Sequence, residues 1–144
     1  IELKAEFAQA LNNRGVARNS LNYNQKAITD FTRAIDINPK DPTYYYNRAV
    51  AYEGLQQYGP AVSDYTKTIE ILPDYAAAYY NRGLIFLRLK KNERACMDLS
   101  KACKFGLCER LRKLQDRGIC SKEKEVEQVE ELPESLDLSN AYND

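Results

Sequence analysis

Four cysteines are the residues of this chain best suited to chemistry, and all lie in its last third: Cys96, Cys103, Cys108 and Cys120. A thiolate can bind zinc, attack an electrophile or form a disulfide. Because the chain contains no histidine, a mixed cysteine and histidine zinc site is excluded. No Cys-x-x-Cys pair is present, which disfavours an all-cysteine zinc site and thiol–disulfide catalysis. Disulfides, typical of an exported protein, and buried free thiols, typical of a cytosolic one, stay open.

Other catalytic signals are also missing from the sequence. It has no glycine-rich phosphate loop and no paired carboxylates with an obvious pocket. We therefore expect a protein that is not an enzyme and that needs no cofactor and no metal. Apolar residues make up 44%, charged residues 29%, and the formal net charge is +0. This composition argues against a basic nucleic-acid binder, and no apolar run reaches the roughly 18 residues of a membrane span.

A period of 34 residues organises the chain. The triplet Asn-Arg-Gly, or Asn-Arg-Ala, begins at positions 13, 47 and 81, and alanine recurs at 27, 61 and 95. Aspartate follows at 30, 64 and 98, and then comes a large residue at 31, 65 and 99. Proline closes the first two units at 39 and 73. A fixed period of this length indicates three copies of one structural unit that are stable only when stacked.

The repeated residues resemble the tetratricopeptide repeat family. Units that begin at Ala8, Pro42 and Ala76 match the family's pattern. The position for a large residue holds Leu11, Tyr45 and Tyr79, and the position for a small residue holds Gly15, Ala49 and Gly83. An alanine position holds Ala34 and Ala102, and the proline position holds Pro39 and Pro73. The departures are Arg18 for an aromatic residue, Thr68 for alanine and Leu107 for proline. The resemblance covers residues 8–107 and implies an all-α solenoid of three antiparallel helix hairpins with a C-terminal capping helix.

This fold places helices near residues 5–20, 24–37, 42–56, 58–71, 76–90 and 92–105. The repeats span about 8–41, 42–75 and 76–107, and Gly106 is expected to stop the last helix before a cap over 107–120. These elements form one domain, residues 1–120. A Cys96–Cys120 disulfide would tie the cap to the last repeat, and a Cys103–Cys108 disulfide would bridge the turn, although four cysteines allow three connectivities.

Arginine and aspartate recur together in the repeats. Arg14, Arg48 and Arg82 stand where the family commonly has an apolar residue, and Asp30, Asp64 and Asp98 follow at one fixed offset. A guanidinium can grip a carboxylate through two parallel hydrogen bonds. We expect a ladder of structural ion pairs between helices rather than a ligand site.

The family resemblance also implies a binding surface. The first helix of each hairpin lines a concave face through its positions 2, 5, 6, 9, 12 and 13, and we call this surface the concave face throughout. Here it is expected to present Asn12, Asn13, Val16, Tyr46, Asn47, Val50, Tyr80, Asn81, Leu84 and Arg88. Because a carboxamide can both donate to and accept from a peptide backbone, the row Asn13, Asn47 and Asn81 fits an extended peptide. The alternative is that these amides are only solvated or bond a neighbouring helix.

One subgroup of the family clamps the acidic C-terminal peptides of heat-shock chaperones with lysine, arginine and asparagine. At five positions of that clamp this chain has Asn12, Val16, Asn47, Ala77 and Asn81, and only Asn47 matches. The sequence therefore predicts a scaffold that binds a different protein or peptide, of mixed polar and apolar character, and no nucleic acid.

Residues 121–144, which we call the acidic segment, contain eight acidic and two basic side chains, whereas residues 1–120 contain thirteen acidic and nineteen basic ones. We expect the segment to be partly helical up to Pro133. Its charge opposes that of the repeats, so an alternative function is self-association, with the segment docked in its own or a neighbour's groove.

The cellular setting stays open. The chain begins at Ile1 without methionine, which fits either a removed signal peptide or a boundary within a longer sequence. Cytoplasmic and exported locations are both compatible with the cysteines. The style of the repeats resembles bacterial examples.

Overall fold

The computed structural model describes residues 2–122, which form a row of α-helices. The helices are α1 (Glu2–Ser20), α2 (Asn24–Ile37), α3 (Pro42–Gly54), α4 (Tyr58–Ile71), α5 (Ala76–Arg88), α6 (Asn92–Lys104) and α7 (Glu109–Asp116). Consecutive helices pair as the hairpins α1–α2, α3–α4 and α5–α6, each hairpin packs on the next, and α7 lies against α6. The predicted all-α hairpin solenoid is confirmed. The expected helix within residues 121–144 falls almost wholly outside the described residues.

The predicted helix ends differ from the observed ones where a hairpin turns. The helices α3 and α5 end at Gly54 and Arg88, two residues before their predicted ends. In each hairpin the turn places one residue in the left-handed backbone region, namely Asn22 (φ 63°), Gln56 (φ 55°) and Lys90 (φ 57°). These residues are 34 apart, so the repeat extends to the backbone of its turns. Since a left-handed residue interrupts the helix, α3 and α5 cannot continue through it.

Small residues allow the two helices of a hairpin to cross closely. A Cβ atom built on Gly15 would lie 2.6 Å from the Phe31 ring, and one on Gly83 would lie 3.0 Å from Leu99. Ala49 occupies the equivalent position of the second hairpin and is fully buried. The small residues of the repeat pattern therefore set the distance between α1 and α2 and between α5 and α6.

The capping helix covers the end of the third hairpin. Leu111 and Leu114 of α7 are buried against Leu99 of α6. Gly106 has a φ of 102°, so the chain turns there after α6 as glycine permits. Two disulfides hold this end: Cys96–Cys120 joins α6 to the segment after α7, and Cys103–Cys108 spans the turn between α6 and α7.

Within residues 2–122, no helix combines the length and the apolar character that crossing a membrane requires. The same residues contain no cluster of three or more potential metal ligands.

Candidate functional site

Each of the three repeated arginines forms an ion pair with the aspartate of its own hairpin through two hydrogen bonds. In the second hairpin, Arg48 donates from Nε to Asp64 Oδ2 at 2.7 Å and from Nη2 to Asp64 Oδ1 at 2.8 Å. Arg14 makes the same pair of bonds with Asp30, and Arg82 with Asp98. Such a two-point contact fixes the orientation of both side chains.

The arginines also join each hairpin to the preceding one. Arg48 Nη1 donates to Thr32 Oγ1 of α2 at 3.1 Å, and Arg82 Nη1 donates to Thr66 Oγ1 of α4 at 3.0 Å. Each threonine lies sixteen residues before its arginine, and each aspartate sixteen after it. The ladder therefore determines the register between hairpins as well as within them. The threonines were not predicted, although their spacing of 34 was a usable signal.

Arg18, the departure from the family pattern in the first hairpin, has a role in this ladder. Its Nη1 donates to Asp30 Oδ2 at 2.8 Å, so two arginines flank one carboxylate that is 1% exposed. The hydrogen bond from Arg14 lowers the pKa of Asp30 despite its burial, and the charge of Arg18 acts in the same direction. Asp30 is thus held ionised in the folded protein.

Two of the three asparagines in the row on the concave face bond neighbouring helices. Asn47 Nδ2 donates to Asn12 Oδ1 at 2.8 Å, across the contact between α3 and α1. Asn81 Nδ2 donates to the hydroxyls of Tyr46 at 3.1 Å and Tyr65 at 3.2 Å. Asn12 is only 5% exposed, so it supports the concave face from below and does not line it. Asn47 and Asn81 thus make contacts that were considered as an alternative to peptide binding, whereas the exposed Asn13 accepts from Gln9 of its own helix.

A partly buried acidic group, Glu53, lies at the end of this network. The Tyr65 hydroxyl donates to Glu53 Oε1 while it accepts from Asn81. Burial raises the pKa of Glu53, and the hydrogen bond from Tyr65 and the charge of Arg88 oppose that rise. Burial also raises the pKa of Tyr65 strongly, so its hydroxyl stays protonated as a donor. Side chains of α3, α4 and α5 are fixed here beside the concave face.

A cleft of about 370 Å³ opens where the concave face meets the capping helix. We call it the Arg cleft, and its lining residues are Tyr80, Leu84, Leu87, Arg88 and Arg110. The apolar side chains continue into the buried cluster beneath α7. Arg88 and Arg110 are exposed, and neither has a carboxylate of the described residues within 4 Å. An apolar floor with two exposed guanidinium groups can hold a ligand that is both apolar and anionic.

Three of the ten predicted binding residues line this cleft, namely Tyr80, Leu84 and Arg88. Of the others, Tyr46 and Val50 lie in the cluster around buried Tyr65, whereas Asn13 and Val16 are exposed farther along the row, on α1.

Two lining residues were missed by the prediction. Leu87 occupies position 12 of the repeat, so the family pattern could have found it. Arg110 belongs to α7, and no repeat position marks it.

Three stacked hairpins closed by a capping helix define a helical-repeat solenoid. The chain belongs to the tetratricopeptide repeat family: a profile described as "TPR repeat" matches residues 17–56, and one described as "Tetratricopeptide repeat" matches residues 46–102. No curated protein sequence matches this chain significantly.

Solved structures with the same fold include domains that were studied with a ligand. The first TPR of Spaghetti (RPAP3) bound to the HSP90 peptide SRMEEVD is 26% identical, with a TM-score of 0.73 over 78% of this chain and 94% of that one. The Arabidopsis OM64 TPR domain is 27% identical, with a TM-score of 0.74 over 81% and 96%. MamA is 28% identical, with a TM-score of 0.67 over 69% and 58%. Family and fold together support a protein–protein interaction scaffold.

Proposed function

We propose that the chain binds an extended peptide segment of a partner protein on its concave face, and that the Arg cleft anchors this segment. The ligand carries acidic side chains next to aliphatic ones. The observation behind the proposal is that Arg88 and Arg110, which have no carboxylate of the described residues within 4 Å, line one cleft together with the apolar side chains of Leu84 and Leu87.

The surroundings of the cleft favour a charged ligand over a purely apolar one. Arg48 and Arg82 each hold one carboxylate through Nε and Nη2 and a threonine hydroxyl through Nη1, so the fold already uses their donors. Arg88 and Arg110 have no carboxylate of the described residues within 4 Å, although the charge of Arg88 acts on Glu53 at longer range. Because Arg presents a rigid fork of donors, it recognises a carboxylate with a defined geometry. Tyr80 adds flat apolar area with a polar end.

The ligand differs from the chaperone tails that some relatives bind. The Spaghetti domain was solved with a peptide that combines acidic residues with methionine and valine. In this chain, four of the five clamp positions carry other residues, namely Asn12, Val16, Ala77 and Asn81. The fifth, Asn47, donates its amide to Asn12. We therefore place the anchor at the α7 end of the concave face and not in the clamp row.

The test is a peptide-display selection on the full chain. It is repeated on a form in which Glu130, Glu131 and Glu134 are replaced by Gln and Asp137 by Asn, so that residues 130–138 carry no charge that could mask the cleft; we call this the neutral-segment form. We expect enrichment of peptides that contain acidic and aliphatic residues together. The Arg88→Ala/Arg110→Ala double variant should bind the selected peptides at least tenfold more weakly.

The matched control is Lys40→Ala/Lys101→Ala, which removes two exposed positive charges outside the cleft. This control should retain the affinity. Equal losses of affinity in both double variants would mean that the peptides respond only to net charge, which would overturn the proposal. Unchanged affinity in the arginine variant would also overturn it.

A further inference from the structure

The described part of the chain ends on the capping structure that also contributes Arg110 to the Arg cleft, and Ser121 itself lies beside Met97 and Ser100 of α6. Gln115, in the last turns of α7, donates from Nε2 to the Ser121 backbone carbonyl at 3.2 Å. Arg110 precedes Gln115 by five residues on the same helix, a rise of about 7.5 Å. The disulfide Cys96–Cys120 fixes the residue before Ser121 to α6. The acidic segment therefore starts on the same capping structure that forms one wall of the cleft.

The segment's sequence has the chemistry that the cleft selects. Residues 130–138 read Glu-Glu-Leu-Pro-Glu-Ser-Leu-Asp-Leu, with four acidic and three leucine side chains and no basic one. This stretch alternates carboxylates with aliphatic groups. The cleft offers two guanidiniums above two leucines and a tyrosine. Charge and apolar character are thus complementary within one chain.

The connection is long enough for the two to meet. Seven residues separate Lys122 from Glu130. An extended chain covers about 3.3 Å per residue and a helix about 1.5 Å, so this connection spans up to about 26 Å when extended and about 12 Å when helical. The extended reach exceeds both the distance along α7 from Gln115 to Arg110 and the 10–12 Å diameter of a helix, so the proposal requires residues 123–129 to be extended rather than helical. Since the connection is short, the effective concentration of the segment at the cleft is in the millimolar range.

We propose that residues 130–138 bind in the Arg cleft of the same molecule and compete there with the partner peptide. This inference rests on the proposed function, because it assigns an internal competitor to the same site. Binding of a partner then requires displacement of the segment, so the apparent affinity for the partner falls by the fraction of molecules whose cleft is filled.

The test is a calorimetric titration of a synthetic peptide with the sequence of residues 130–138, blocked at both ends. It is added to the full chain, to the full chain with Glu130→Gln, Glu131→Gln, Glu134→Gln and Asp137→Asn, and to that form with Arg88→Ala and Arg110→Ala. We expect saturable binding to the form with the neutral segment, at least tenfold weaker binding to the unchanged chain, and similar weakening when the two arginines are replaced.

Two results would overturn the inference. Equal affinity for the unchanged and neutral-segment chains would show that the segment does not occupy the cleft. Absence of binding to the neutral-segment chain would show that the segment is not a ligand. A peptide obtained from the display selection is titrated in parallel. If that peptide binds in an arginine-dependent way while the peptide of residues 130–138 does not bind, the proposed function is retained and the internal competitor is rejected.

The oligomeric state separates binding within one molecule from binding between two. We expect size-exclusion chromatography coupled to light scattering to give the monomer mass for the unchanged chain at all concentrations. A concentration-dependent dimer that disappears in the neutral-segment form would contradict binding within one molecule.

Discussion

Arg48 connects three helices through one side chain. It holds Asp64 on α4 by two hydrogen bonds and Thr32 on α2 by a third. Because the Asp64 side chain is 7% exposed, its carboxylate would lose its counter-charge and stay largely out of water if Arg48 were removed. Leaving one member of a buried pair alone costs more than the pair contributes.

We therefore predict that Arg48→Ala lowers the free energy of unfolding by about 2–4 kcal/mol in denaturant titrations. Lys67→Ala is the control, since its partner Glu70 is 61% exposed, and it should change the value by less than about 0.5 kcal/mol. The double variant Arg48→Met/Asp64→Leu should regain much of the loss, because no unpaired charge remains. A single variant as stable as the control would contradict this account of the ladder.

Asp30 gives the ladder a pH dependence. Its folded pKa lies below the unfolded value of about 3.8, mainly because of the hydrogen bond from Arg14. The resulting stabilisation is therefore complete above the unfolded pKa and is lost as the pH falls through the folded pKa. We predict that the difference in unfolding free energy between the unchanged chain and Asp30→Asn is largest near pH 7 and shrinks towards pH 2. A difference that is constant with pH would exclude this assignment.

The repeated polar residues show which contacts can be predicted from the sequence. The Arg and Asp rows could be predicted as partners because both recur with one offset, and the structure places them in contact. The asparagine row recurs in the same way, yet the amides of Asn47 and Asn81 bond Asn12, Tyr46 and Tyr65. Periodicity identifies positions that face other hairpins or a ligand, but it does not distinguish the two, because both require the same polar group at the same offset.

At the scale of the elements, the helices follow from the repeat and their ends follow from the turns. The bounds of α2 and α4 agree with the prediction. The early ends of α3 and α5 were missed because Gln56 and Lys90 are not residues that usually adopt a left-handed backbone. Backbone hydrogen bonds close the turn around each of them, from Gln57 to Tyr52 at 2.9 Å and from Lys91 to Phe86 at 2.8 Å.

The two disulfides stabilise the capping helix, which is too short to be stable alone. An isolated helix of eight residues is unstable in water, and α7 packs mainly through Leu111 and Leu114. Cys96–Cys120 closes a sequence separation of 24, whereas Cys103–Cys108 closes one of 5. In the loop-entropy description these closures stabilise by about 3.5 and 2 kcal/mol.

We predict that Cys96→Ser/Cys120→Ser lowers the free energy of unfolding more than Cys103→Ser/Cys108→Ser does. The same variant should weaken binding of the selected peptide, since α7 positions Arg110 in the cleft. Chemical denaturation measures the free energy of unfolding and calorimetry measures the peptide affinity. Each purified variant is handled without added oxidant. A larger loss from the shorter loop, or binding that is independent of both pairs, would contradict this role of the cap.

At the scale of the whole molecule, the candidate site arises where the repeats end. Tyr80, Leu84 and Arg88 were predicted because the family pattern marks concave positions, but the cleft itself could not be predicted. It exists only because α7 packs across α6 and brings Arg110 to the side chains of α5. The distance between these helices depends on the cap's packing, which no repeat position encodes.

The central claim is that ligands bind the Arg cleft, and an NMR titration of the neutral-segment full chain with the display-selected peptide tests it most directly. We predict that the amide shifts concentrate at residues 80–88 and around Arg110, and that they are lost in the Arg88→Ala/Arg110→Ala variant. A second cleft on the other face, lined by Val62, Phe86 and Met97 among others, provides the comparison. Shifts concentrated around Val62 and Met97, with residues 80–84 and 110 unchanged, would contradict the claim.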